Sequence, residues 1–261
     1  MSKHNKQADS LRPTTMYEIT AKLFNHIRAS LTERFEEEAV TLLIDGVNSL
    51  IEDQQRELLK RAVIAGKAGS SYCELEYDSV LSEDVLKDPE KIKRSFNNYE
   101  AVHQKIGIES MNIYSIMAKM FAHISKKSVE AHGKAGEEAM MEAVRTFGEE
   151  RGRDIARRAA AVREPNKMDN YLSNYDMGRS ELFKFDTHFH PTEIEQTFTK
   201  CAFADQWKED GMQEFGILYC HMIDPAVAKG FNPNFEVIHD QYILKEDEGV
   251  CHFRFQMKKD K

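Results

Sequence analysis

The hydrophobic period of this chain changes near Pro165, and that change limits the fold more than any other feature of the sequence. Before it, apolar residues recur at helical spacing. They run through Leu23, Ile27 and Leu31, then Val40, Leu43, Ile44, Val47, Leu50 and Ile51, so that Met16 to about Ala65 reads as helix. A second helical block runs from about Glu109 to Val162. After Pro165 the period drops to two: Phe183, Phe185, Thr187 and Phe189 alternate with Lys184, Asp186, His188 and His190. A strand from Glu193 to Lys200 follows. Cys201 to Gly230 then reads as two helical pieces broken near Gly211. Strands Phe235–Leu244 and Val250–Lys258 are joined by the acidic turn Glu246–Gly249. Helices first, and then two hairpins around a helical insert, predict an α+β fold with an antiparallel sheet of about four strands.

Three regions follow from the same pattern. Residues 1–15 read as a disordered arm, 16–110 as a helical region, and 111–261 as an α+β domain. Within the helical region, residues 72–100 are acidic and read as a connector with short helices at most. A21-K-L-F-N-H-I27 is repeated as A118-K-M-F-A-H-I124. In the same register, R56-E-L-L-K-R-A62 falls on R153-D-I-A-R-R-A159. Two matched heptapeptides in one register suggest a duplicated helix pair, with 16–110 the degenerate copy.

Bulk numbers exclude some functions. The 36 basic residues against 44 acidic give a net charge of −8, and no basic patch dominates, so nucleic acid is not the expected partner. No apolar run approaches the roughly 20 residues that span a bilayer. The polar N-terminus lacks a signal-peptide core, and the four cysteines are not spaced as a disulfide framework. The expectation is a reduced, cytoplasmic protein that acts on a small molecule, away from membranes, with a homo-oligomer left open.

Three cysteines lie late in the chain, in T199-K-C-A-F-A-D205, Y219-C-H-M-I-D224 and G249-V-C-H-F-R-F255. Thiols near imidazoles and carboxylates suit covalent hydrolysis or metal binding. Zinc favours a tight pair such as C-x2-C, and none occurs here, so neither metal nor cofactor is called for. Cys220 and Asp224 are four apart and share a face if one helix carries both. Asp224 precedes Pro225, which makes it the expected cap or end of a helical turn, or else a proton carrier for Cys220. Cys201 falls where a strand gives way to a helix, a place where the helix dipole lowers a thiol pKa. Cys251 shares its strand face with Phe253, Phe255 and Met257, which argues for a buried, pocket-lining thiol. His239 lies on the strand opposite. Gly148 and Gly152 mark a close helix approach, and a nearby arginine, Arg153, is a candidate for a substrate carboxylate.

The phrases G148-E-E-R-G-R-D-I-A, C201-A-F-A-D, C220-H-M-I-D224, F231-N-P and C251-H-F-R-F, in that order, resemble the L-2-amino-thiazoline-4-carboxylic acid hydrolase family over roughly residues 114–258. The resemblance implies hydrolysis of a small cyclic amidine or ureide, at a non-peptide C–N bond, to an N-carbamoyl amino acid. It places marked cysteines on Cys201, Cys220 and Cys251 and an acidic residue on Asp224. With the spacing above, the expected catalytic residues are Cys220, Asp224 and Cys201, and the expected substrate-binding residues Cys251, His239 and Arg153. The layout is also similar to vinyl-reductase-type small-molecule-binding domains of bacterial sensors, which can hold zinc through cysteines and an acidic residue. Of such a set only Cys220, Asp240 and Cys251 have counterparts here and the remaining cysteine is missing, so the alternative is a non-catalytic, sensor-like binding domain, with or without zinc.

Overall fold

The structure, a computed structural model, describes residues 12–64, 66, 82–107, 110–163, 167–175, 178, 180–245 and 249–258. Residues 1–11 of the expected arm, Cys73 and residues 246–248 of the acidic turn lie outside them. The order is helices, then β-hairpin, two helices and a second hairpin, the α+β arrangement read from the sequence.

Residues 17–139 form one compact unit; residues 12–16 and 140–258 form another. In the first, α1 (Met16–Phe35) and α2 (Glu38–Ile64) bury Leu23, Ile27, Leu31, Leu43, Val47 and Leu50. Val40 and Ile44, read as part of the same stripe, are exposed. After the single turn of α3 (Glu83–Leu86), the described second half of the expected connector runs into a long helix, α4 (Pro89–Ile106), where short helices at most were expected. Asp88 caps it by accepting from the Glu90 and Lys91 amides, Pro89 sits in its first turn, and Gly107 ends it at φ 70°. Its apolar face is Ile92, Phe96 and Tyr99, so burial stabilises a helix that acidic composition had hidden.

The helices α5 (Ile113–His132) and α6 (Lys134–Ala161) carry the second copy of the repeated heptapeptides. They are 20 and 28 residues long, against 20 and 27 for α1 and α2. Where α2 meets α5, a Cβ on Gly46 would lie 2.8 Å from the Ile124 Cα, so glycine permits the approach. Beside it a charged cluster is sunk in the interface. Lys119, 2% exposed, reaches Asp53 at 2.7 Å, and His123 Nδ1 lies 2.9 Å from the Ser49 hydroxyl. His123, its Nε2 3.8 Å from Asp53 Oδ2, and the Lys119 bond together hold the Asp53 carboxyl well below the usual range, against the opposing effect of burial.

In the second unit β1 (Lys184–Phe189), β2 (Glu193–Lys200), β3 (Phe235–Gln241) and β4 (Cys251–Met257) form an antiparallel sheet ordered β1-β2-β4-β3. Pairing of Phe185 with Phe198, Phe198 with Cys251, and His239 with Phe253 puts these side chains on one face. The other face carries an ionic strip: Glu195 pairs with both His252 Nε2 (2.8 Å) and His190 Nε2 (3.0 Å), and His252 Nδ1 meets Asp240 at 2.5 Å. A one-residue slip would bring these charges onto the apolar face, so the strip helps fix the register.

Two helices, α7 (Ala202–Glu209) and α8 (Gln213–Phe231), form the insert. Gly216 of α8 lets the Trp207 indole rest on its backbone; a Cβ there would meet the ring at 2.3 Å. The Gly148–Gly152 face of α6 packs on α8, where a Cβ on Gly152 would stand 2.1 Å from the Val227 carbonyl oxygen. Pro225 lies inside α8, so Asp224 is neither a cap nor a helix end. Tertiary packing on both sides of α8 overrides the local preference of a pre-proline residue.

Candidate functional site

One face of the sheet and the helices α6, α7 and α8 line a cavity of about 400 Å³ that is partly open to solvent. Its sheet wall is a row of rings. Phe185 stacks on Phe198 at 4.7 Å, Phe198 on Phe253 at 5.5 Å, and His239 tilts on Phe253 at 5.1 Å. Each strand contributes one member, because strand alternation aims every second side chain inward. The helical wall adds Trp207, Phe203 and Tyr219, and the short 3₁₀ turns after α6 add Tyr171 and Tyr175. Such an apolar, aromatic lining favours a flat ligand.

Few polar groups face this apolar space. Arg151, only 7% exposed, lines it from α6, its guanidinium 4.8 Å over the Tyr175 ring. Asp224 and Cys220 line it from α8, one turn apart. Burial pushes the Asp224 carboxyl up to about 6, partly offset by the Arg151 charge. The His239 side chain is 5% exposed, and its Nδ1 is 3.9 Å from Asp224 Oδ2. Neither ring nitrogen has a hydrogen-bond partner, a rare state for a buried imidazole and one that a ligand can satisfy. Burial pushes its pKa down to about 4; the Gln241 backbone, outside hydrogen-bond geometry, pulls weakly the other way. The ring also stacks on Tyr242 at 3.7 Å, which fixes its plane.

All three late cysteines line the cavity. Cys201 is the N-cap of α7, as its place between strand and helix suggests. The expected lowering of its pKa does not occur: burial pushes the thiol up to about 12, outweighing the Ala204 and Phe203 amides beside it. Cys220 is likewise pushed well up, first by burial and then by the other two thiols and Asp224. Cys251 is buried on the apolar face with Phe253 and Phe255, and its Sγ accepts from the Ile243 amide at 3.2 Å.

Five of the six expected site residues, Cys201, Cys220, Asp224, His239 and Cys251, therefore share one cavity. Arg153 does not. Its side chain is 60% exposed and lies 3.8 Å from Glu149, while Arg151 occupies the cavity wall. The reason is helical phase. Gly148 and Gly152 mark the face of α6 against α8, and Arg151, three residues from Gly148, falls near that face where Arg153 does not. The aromatic wall from the 3₁₀ turns carried no sequence signal of comparable clarity. Among the described residues, no group of three or more His, Cys, Asp or Glu side chains is arranged to hold a metal ion. No helix among them is long and apolar enough to cross a membrane.

A family model described as L-2-amino-thiazoline-4-carboxylic acid hydrolase matches residues 113–255, from the start of α5 to the middle of β4. No curated protein and no solved structure matches the chain.

Proposed function

The chain belongs to the L-2-amino-thiazoline-4-carboxylic acid hydrolase family, and from that premise we propose that it opens a small cyclic amidine or ureide bearing a carboxylate, giving an N-carbamoyl amino acid. One observation carries this reading: a buried guanidinium, a carboxylate with a raised pKa and a thiol face one apolar cavity. Arg151 takes the substrate carboxylate through its planar fork. Asp224, ionised at neutral pH yet close to its pKa, takes and returns protons.

Cys220 is at rest a neutral thiol, so it attacks only as its proton leaves. The Cys220 sulfur bonds to the amidine carbon while Asp224 takes the proton. In an aminothiazoline both nitrogens stay on the carbamoyl carbon, so the bond that breaks is ring C–S. In a ureide ring the sulfur adds instead to the ring acyl carbon, the bond that breaks is that carbon's C–N bond, and the carbamoyl group stays whole on the amino acid's nitrogen. The leaving atom takes the proton from Asp224. Water then adds to the same carbon, again giving a proton to Asp224, and the Cys220 sulfur leaves and regains it. A bound cationic amidine would favour each step in this low-dielectric space.

A second reading is direct attack by water with Asp224 as base, the thiols serving only as lining. The raised pKa of both Cys201 and Cys220 favours it. Mass spectrometry of ring opening distinguishes the two. In the covalent reading Cys220→Ser and Asp224→Asn both lose turnover. Full activity of the serine variant beside an inactive asparagine variant selects water. If neither wild-type ring opening nor a product is found across amidines and ureides, the chain is a binding protein.

A further inference from the structure

The cavity is larger and more aromatic than the family's namesake ring requires. An aminothiazoline carboxylate is no larger than a tryptophan side chain, whereas a cavity of about 400 Å³ lies in the range that encloses drug-sized ligands. The polar groups that suit the heterocycle, Arg151, Asp224, Cys220 and His239, come from α6, α8 and β3. On β1, at the far edge of the sheet from β3, Phe185 and Phe189 also line the cavity and remain 40% and 65% exposed. Two large rings left in water at the edge of a cavity are uncovered apolar surface that a ligand would bury.

We propose that the natural substrate is a carboxylate-bearing cyclic amidine or ureide that carries an aromatic or comparably bulky apolar substituent. The heterocycle lies against Arg151, Asp224 and the unsatisfied His239 ring, and the substituent reaches along the stacked row to Phe185 and Phe189. This rests on the ring-opening reading for the heterocycle end alone; the substituent end stands on the shape and lining of the cavity.

Trp207 is the chain's single tryptophan, is buried, and lines the cavity, so its fluorescence reports occupancy without turnover. The probes are 2-amino-thiazoline-4-carboxylate and its phenyl-substituted derivative, titrated against the full chain, with ring opening followed separately by mass spectrometry. Burying the phenyl group should tighten binding on the order of tenfold or more. Phe189→Ala, at an exposed position, should shrink that ratio severalfold. Equal affinities, or a ratio unmoved by Phe189→Ala, overturn the substituent and leave ring opening of the bare ring to stand on its own readout. Discrimination without ring opening of either probe supports this ligand class while removing the hydrolase. Binding of neither probe overturns both.

Discussion

His239 Nδ1 lies 3.9 Å from Asp224 Oδ2 in the same apolar wall, and burial works against the charged form of each. Burial pushes Asp224 toward the acid, up to about 6, and pushes His239 toward the neutral base, down to about 4. A charged imidazole would stabilise the carboxylate, but burial disfavours it. At neutral pH the pair is therefore a carboxylate beside a neutral ring, ready to accept protons from a ligand.

The two groups link stability to pH with opposite signs. The raised Asp224 pKa gives stability that is full below the ordinary carboxylate value and is lost as pH rises through about 6. Asp224→Asn should therefore be more stable than the parent at neutral pH, by about 1–3 kcal/mol, with the gap closing toward about pH 4. His239 has a depressed pKa, so its contribution is present above the ordinary imidazole value and lost as pH falls toward about 4. His239→Phe, which keeps a ring against Tyr242, should remove that acid limb. Urea unfolding at several pH values reads both, and an Asp224→Asn gap that does not change with pH would contradict the assignment.

Thiol chemistry should be slow in the native state. With Cys201 and Cys220 held protonated by burial, iodoacetamide near neutral pH should modify them far more slowly than in urea. A rapidly labelled Cys220 in the folded protein, located by peptide mapping, would show a resting thiolate that this cavity disfavours.

The two arginines of α6 should part company. Arg151→Lys keeps the charge but loses the planar fork, and should raise KM for a carboxylate-bearing substrate by about tenfold or more. Arg153→Lys, on the exposed side, should stay within about twofold, since surface pairs contribute little. Equal effects from the two substitutions would place the carboxylate elsewhere.

The buried cluster between α2 and α5 makes a stability prediction away from the cavity. Lys119→Met removes the 2.7 Å partner of Asp53, whose carboxyl is 25% exposed and keeps Arg56 at 3.5 Å, so the loss should be about 1–3 kcal/mol, below that for a fully buried pair. Replacing both, Lys119→Met with Asp53→Leu, should recover much of that loss in thermal unfolding. A double variant no better than the single one would mean that the loss comes from packing.

The sequence alone determined what depends on local spacing. The change of period near Pro165 separated helices from sheet, and strand alternation put Phe183, Phe185 and Phe189 on one face of their strand and Cys251, Phe253 and Phe255 on one face of theirs. The three late cysteine phrases and Asp224 all fall on the cavity wall. At the start of α4 local chemistry also decides: a capping Asp88 and a first-turn Pro89 outweigh acidic composition. Other features belong to the tertiary structure, because they come from distant segments meeting. The choice of Arg151 over Arg153 follows from which face of α6 packs on α8. Helix through Asp224 and Pro225 is held by packing on α8. The thiol at the start of α7 is neutral because burial outweighs the helix dipole that its sequence position promised. Desolvation is set by everything packed around a group, and no single stretch of sequence contains it.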